Sequence, residues 1–136
     1  MNPKTKGREI ALSVLFAVDL GKNSVPDAFL PFKYESPVSL EYALKLVQGT
    51  IENLSDIDEK IKSLLKNWSF ERLNAVDKEI LRLAIYEIEN VVGEDYGIIV
   101  FEAVELAKKY GDLNSGDFVN GILRSFLRLR NEEVTT

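Results

Sequence analysis

The 136-residue chain contains no cysteine and no histidine. The first absence excludes disulfides, thiolate zinc sites and cysteine nucleophiles. The second removes the usual general base of hydrolytic triads and the commonest metal ligand, so neither a catalytic residue nor a metal or other cofactor is expected. No apolar run approaches the roughly 18 residues of a membrane-spanning helix. The first eight residues are polar and no small-residue cleavage site follows, which argues against a signal peptide and for a cytoplasmic protein. Proline is scarce, and three of the four (Pro26, Pro31, Pro37) fall in one stretch. Convincing strand alternation is missing as well.

Apolar residues make up 46% of the chain and charged residues 29%, enough for one soluble domain spanning residues 1–136. The net charge of -5 argues against generic nucleic-acid binding, but its distribution is uneven. Residues 1–8 carry Lys4, Lys6 and Arg8 without an acid, and residues 118–131 carry Arg124, Arg128 and Arg130 without one. The ends are basic and the middle acidic, an asymmetry that the average conceals.

Helical periodicity covers most of the rest. Asn2-Pro3 predicts a cap and first turn, and the residues from Ile10 to Leu20 are apolar on nearly every face, a central helix ending at Gly21. Residues 22–37 read as loop with at most one short helix. A helix starts near Ser36-Pro37 with the stripe Leu40, Ala43, Leu44, Val47, Ile51 and Leu54. Ser55 is expected to cap the next, whose stripe runs Ile57, Ile61, Leu64, Leu65 and Trp68. Trp68 therefore reads as core, and Trp68→Ala as a loss of ~3–5 kcal/mol. Asn74 caps a helix to about Asn90, on which Glu79 and Arg82 are spaced to pair on the surface. Ile98–Tyr110 is the next helix, with Gly111 as its left-handed cap. Ser115 caps a last helix to about Arg130, with 134–136 frayed. The sum is an all-α chain of six or seven helices.

Few signals carry chemistry. Gly111-Asp-Leu-Asn-Ser-Gly116 has the glycine spacing of a phosphate loop, but Asp117 and Phe118 stand where lysine and a hydroxyl residue are required. Asp112-x-Asn114 resembles a calcium loop whose twelfth position is Leu123 instead of a carboxylate. Both read as a helix-to-helix connection. The N-terminal cations are more suggestive. Lys4, Lys6 and Arg8 can contact phosphates, and Phe16 and Phe118 are candidate stacking aromatics for single-stranded RNA. Viewed singly, each aromatic reads as core and the cations as a solvated end.

A series of motifs shifts that balance. Trp68-Ser-Phe-Glu-Arg-Leu73, Val76-Asp77 and Ile80-Leu-Arg-Leu-Ala-Ile-Tyr-Glu87 resemble a signature of the NusB transcription antitermination family. So do Glu102-Ala-Val-Glu-Leu-Ala-Lys-Lys-Tyr-Gly111, Ser115 and Phe118-Val-Asn-Gly-Ile-Leu123, and upstream Arg8-Glu-Ile-Ala-Leu-x-Val-Leu-Phe16. The resemblance implies about seven helices in two helical subdomains packed crosswise and a non-enzymatic role. It implies binding of boxA RNA in ribosomal RNA leader transcripts together with NusE, the small-subunit ribosomal protein. It also implies joining NusA, NusG and RNA polymerase in an antitermination complex. Some relatives dimerise, so a homodimer is a further option.

By position, the family's arginine-rich start falls on Lys4, Lys6 and Arg8, where this chain has two lysines and one arginine. Lysine lacks arginine's bidentate and stacking contacts, so weak RNA affinity without the partner protein is expected. Asn114, Ser115 and Phe118 match a segment near the RNA path, and Asn114 avoids a carboxylate beside phosphate. Asn120 and Gly121 read as structural, through small-residue packing or an internal hydrogen bond. Asp95-Tyr-Gly97 and Phe101 depart from the family pattern. Lys6→Glu with Arg8→Glu is expected to weaken boxA binding and leave folding nearly unchanged. The alternatives are a helical protein-interaction adaptor without RNA contact, and a module related to ribosomal RNA methyltransferases. Chain length speaks against the second, since no cofactor-binding domain follows.

Overall fold

The computed structural model describes residues 2–66 and 68–135, with side chains described as far as Asn131. Seven α-helices and two short 3-10 turns make up the described residues, with no strand among them. The chain divides into two compact units, Met1–Asn53 and Leu54–Thr136.

In the first unit, helix α1 spans Pro3–Asp19. Asn2 caps it, its side chain accepting from the Lys4 backbone N–H at 2.8 Å, and Pro3 occupies the first turn where no amide is needed. Helix α2 (Val25–Phe29) and a 3-10 turn (Leu30–Phe32) fill the proline-rich connection. Helix α3 (Pro37–Glu52) starts as predicted, with Ser36 Oγ accepting from the Ser39 N–H at 3.1 Å. Its buried face, however, is Ser39, Ala43, Leu46, Val47 and Thr50, while Leu44 and Ile51 are exposed. The small residues Ser39 and Ala43 turn that face inward because α1 packs closely on it. A Cβ on Gly7 would lie 3.1 Å from both Ser39 O and Tyr42 Cβ.

The second unit contains α4 (Leu54–Leu64), a 3-10 turn (Phe70–Arg72), α5 (Ala75–Asn90), α6 (Tyr96–Tyr110) and α7 (Ser115–Thr135). Three sequence expectations need correcting here. Ser55 lies inside α4 and does not precede it. The helix stops at Leu64, so Ile57, Ile61 and Leu64 are buried but Trp68 falls beyond its end and is 63% exposed. Gly111 is not left-handed (φ -89°, ψ -164°); glycine is required there because a Cβ would collide with Ser115 Oγ and lie 2.7 Å from Ala107 O. α7 runs past Arg130, and Thr136 of the expected frayed end lies outside the described residues.

Helix α5 is the axis of this unit, packed against α4, α6 and α7. Its Glu79–Arg82 pair is an interior one and not the surface pair expected from the sequence. Arg82 reaches across to α4, donating through Nε to Asp58 Oδ1 and through Nη2 to Asp58 Oδ2, each at 2.8 Å. It also meets Glu79 at 3.2 Å, with Glu79 almost fully buried. Burial opposes the arginine charge, but Asp58 and Glu79 outweigh it and raise its pKa further above the usual value. Lys60 of α4 meets Glu89 of α5 at 2.6 Å, and Arg130 of α7 approaches the same carboxylate at 3.5 Å. No helix among the described residues is long and apolar enough to cross a membrane.

Candidate nucleic-acid interface

The N-terminal candidates sit on α1, and its geometry separates them. Lys4 and Arg8 are one turn apart and share the ring of Tyr42, with Lys4 Nζ 5.4 Å and the Arg8 guanidinium 5.7 Å from its centroid. Lys4 is exposed, whereas Arg8 is 3% exposed. A guanidinium so enclosed holds the helix against Tyr42 and does not present itself to a phosphate. Lys6 lies on another side, half-buried, 3.5 Å from Glu9 and 3.8 Å from Glu35. Phe16 is 38% exposed but twelve residues from Lys4, about 18 Å along the axis. The sequence thus places one outward cation, one acid-paired lysine and one inward arginine at the chain start.

The second set lies in the other unit. A cleft of about 330 Å³ is lined by Trp68, Arg72, Leu73, Asn74, Asp77, Asp112, Asn114 and Phe118. Local hydrogen bonding builds its walls. Asn74 Oδ1 accepts from the Val76 and Asp77 amides and starts α5, which fixes Asp77 at the mouth of that helix. Asp112 Oδ1 accepts from the Asn114 N–H at 2.9 Å, and the Asp112 N–H donates to Ser115 Oγ at 2.9 Å. Asn74 Nδ2 joins the two sides by donating to Asp112 Oδ2 at 3.4 Å. This loop carries Phe118, half-buried at the start of α7, to the cleft wall.

Ser115, a predicted RNA residue, is buried and ties the loop together, so its part is to shape the site. Asn114 is exposed and lines the cleft with Phe118. Sequence reading missed Trp68, Arg72, Asn74, Asp77 and Asp112. Trp68 was assigned to a helix stripe that ends one turn earlier, and polar Lys66, Asn67 and Ser69 around it were the sign that the stripe had stopped.

The cleft electrostatics are mixed. Burial pushes the Asp77 carboxyl up, the Asp112 charge adds to this, and a hydrogen bond with Ser115 works against it. Asp77 Oδ1 is buried without a hydrogen-bond partner among the described residues. Asp112, exposed, is held below the usual carboxylate range chiefly by the Asn114 amide. With one arginine against two carboxylates this is no phosphate pocket. Two aromatic rings, an amide and a carboxylate acceptor suit a flat heterocycle with N–H groups.

An all-helical protein with aromatic rings and cations at helix ends is the class that this frame defines. The comparisons with known proteins narrow it. The NusB family model matches residues 5–128. The chain is 43% identical over 126 residues to the transcription antitermination protein NusB of Sorangium cellulosum (strain So ce56), covering 90% of each. Its structure is similar to T. maritima NusB (TM-score 0.81, 33% identity, 92% of this chain and 90% of that one). It is likewise similar to a chain in a crystal structure of the antitermination factors NusB and NusE in complex with double-stranded RNA (TM-score 0.85, 28% identity, 95% and 98% covered). The chain belongs to the NusB family.

Proposed function

We infer that this chain is a cytoplasmic transcription antitermination factor, a binding protein and not an enzyme, that holds boxA RNA together with NusE. NusA, NusG and RNA polymerase complete the assembly in this reading. The observation that carries it is the cleft beside the start of α7. An exposed tryptophan next to a phenylalanine, an arginine and an orphan carboxylate oxygen is an arrangement for seating an unstacked base. Trp68 and Phe118 supply faces, Asn114 and Asp77 supply acceptors, and Arg72 offers a guanidinium to stack. Lys4 adds a cation in the other unit, with Phe16 as a further stacking candidate. Arg8 and Ser115 act behind these as positioning residues. The acidic middle of the sequence is suited to a basic ribosomal protein, whose approach it accelerates.

Fluorescence anisotropy of labelled boxA RNA against a scrambled RNA, with and without NusE across a salt series, tests this. Preference for boxA, strengthened by NusE and weakened by salt, is expected. Contact with ~3–5 phosphates gives a log–log slope of about -2 to -3.5. Equal and weak binding of both RNAs with NusE present favours the protein-interaction adaptor instead.

A further inference from the structure

Gly121 stands in the middle of α7, exposed, in a position where glycine weakens a helix relative to alanine. Most buried glycines of this chain have a local reason: a Cβ on Gly7 would lie 3.1 Å from Ser39 O, and one on Gly116 3.0 Å from Lys108 Cγ. At Gly121 a Cβ meets nothing within 4 Å among the described residues, and the backbone is not left-handed. Among the described residues the small-residue packing expected from the sequence is therefore absent at Gly121, while Asn120 does make an internal hydrogen bond, and the helix surface at Gly121 is open to close approach from outside.

Its neighbours on the helix include Arg124 and Arg128, both basic. Side chains on a helix lean toward its N-terminus, so Arg124 leans back to Asn120 and leaves Gly121 open, with nothing described within 4 Å of a Cβ there. Its Nε donates to Asn120 Oδ1 at 3.5 Å, and Arg128 Nη2 donates to Ser125 Oγ at 3.0 Å. Both arginines are exposed, and Asn120 and Ser125 are neutral partners. Phe118, Gly121, Ser125 and Arg128 follow one another at spacings of three and four, forming one row about 15 Å long that begins at the cleft. Arg130 differs, since it faces Glu89. Asp117 lies a turn before Gly121, and in the sequence Glu132 stands four residues after Arg128.

We propose that α7 carries the RNA backbone onward from the cleft. The phosphodiester chain passes against the helix at Gly121, and Arg124 and Arg128 take phosphates on their guanidinium forks. This rests on the RNA-binding reading above and adds residues that a base pocket does not require. Charge and continuity select the occupant: two outward arginines with neutral partners attract a polyanion, and the row starts at Phe118. Guanidinium groups bind phosphate bidentately, which lysines in the same places do not reproduce.

The test uses the full chain with NusE, boxA RNA and a salt series, comparing wild type with Gly121→Leu, Arg124→Gln/Arg128→Gln and, as a cleft control, Phe118→Ala. Leucine at an open helical position favours the helix, so Gly121→Leu is expected to melt at or above the wild-type temperature while losing RNA affinity. The double glutamine variant is expected to flatten the log–log salt slope by about 1.4, two phosphates at about 0.7 each. If Phe118→Ala weakens binding while both α7 variants keep wild-type affinity and slope, the RNA does not follow α7 and the proposal fails with the cleft intact. If the α7 variants lose NusE binding or self-association but hold RNA normally, the face belongs to a protein and the proposal fails. Absence of RNA binding by wild type overturns this inference and the reading it rests on together.

Discussion

The two basic ends of the sequence carry the same formal charge and use it in opposite ways. At the N-terminus Arg8 is turned inward beside Tyr42, Lys6 faces Glu9 and Glu35, and Lys4 alone is exposed. On α7 the order is reversed: Arg130 is drawn to Glu89, while Arg124 and Arg128 point outward and rest on neutral side chains. Charge counted along a sequence is therefore not charge presented to a ligand. The difference arises from what packs on each helix: Lys4 and Arg8 share a face of α1 beside Tyr42 and Lys6 meets acids on another, whereas Arg124 and Arg128 share a face of α7 that stays exposed.

If buried cations hold the fold and exposed ones hold the ligand, the largest stability loss comes from Arg82. Arg82→Met strands Asp58 and Glu79 beside each other, and Glu79 is buried. Breaking such a group costs about 3–5 kcal/mol, read as a lower urea midpoint. A loss below about 1 kcal/mol puts this network with ordinary surface pairs and breaks the comparison. Arg8→Glu follows the same logic. Reversing a charge in that enclosed position is expected to unfold a large fraction of the protein. Lys6→Glu alone stays within about 1 kcal/mol of wild type. The sequence-based expectation that both changes leave folding untouched is corrected for Arg8 by its burial. Circular dichroism melts of the two single variants separate them.

Trp68 sharpens the comparison from the aromatic side. Its exposure reverses the sequence-based expectation: Trp68→Ala is now expected to cost under about 1 kcal/mol of folding stability, as a change away from the core. The same change is expected to remove about 1–3 kcal/mol of RNA affinity, the worth of one stacked base. Urea unfolding and RNA anisotropy on the same preparation decide it. A large stability loss with unchanged RNA binding returns Trp68 to the core.

These outcomes follow what was legible in the sequence. Asn2, Ser36 and Asn74 were readable as helix starts because a cap needs only its own amides two and three residues on. Helix ends and faces were harder. The stripe through Leu65 to Trp68 continued on paper past the point where α4 ends. The α3 stripe was read through Leu44 and Ile51 because large apolar residues weigh more in a pattern than Ser39 and Ala43. The smaller residues are the ones that let α1 come close. Phe118 and Asn114 were placed near the RNA path by resemblance, but their meeting with Trp68, Arg72 and Asp77 is tertiary. The bond from Asn74 to Asp112 spans 38 residues, and no local spacing encodes it.

The smallest effect concerns Asp77, whose carboxyl lies on the cleft wall with one oxygen unpartnered. Burial raises its pKa above the ordinary 3.8, and the Asp112 charge adds to this. The Ser115 hydrogen bond and the start of α5 both favour the carboxylate and limit the rise. For an acid with a raised folded pKa, ionisation at neutral pH disfavours the folded state. That penalty disappears as pH falls through the folded value toward 3.8, because the folded chain takes up its proton first. Wild type should therefore gain stability relative to Asp77→Asn as pH drops through this window, in urea titrations at neutral pH and just above 3.8. RNA affinity is expected to move the opposite way, since protonation weakens the acceptor that Asp77 offers a base N–H. A stability difference that stays constant with pH means that Ser115 and the helix start fully offset burial. In that case the unpartnered oxygen is an ionised acceptor held ready for a base N–H, and RNA affinity should be flat with pH as well.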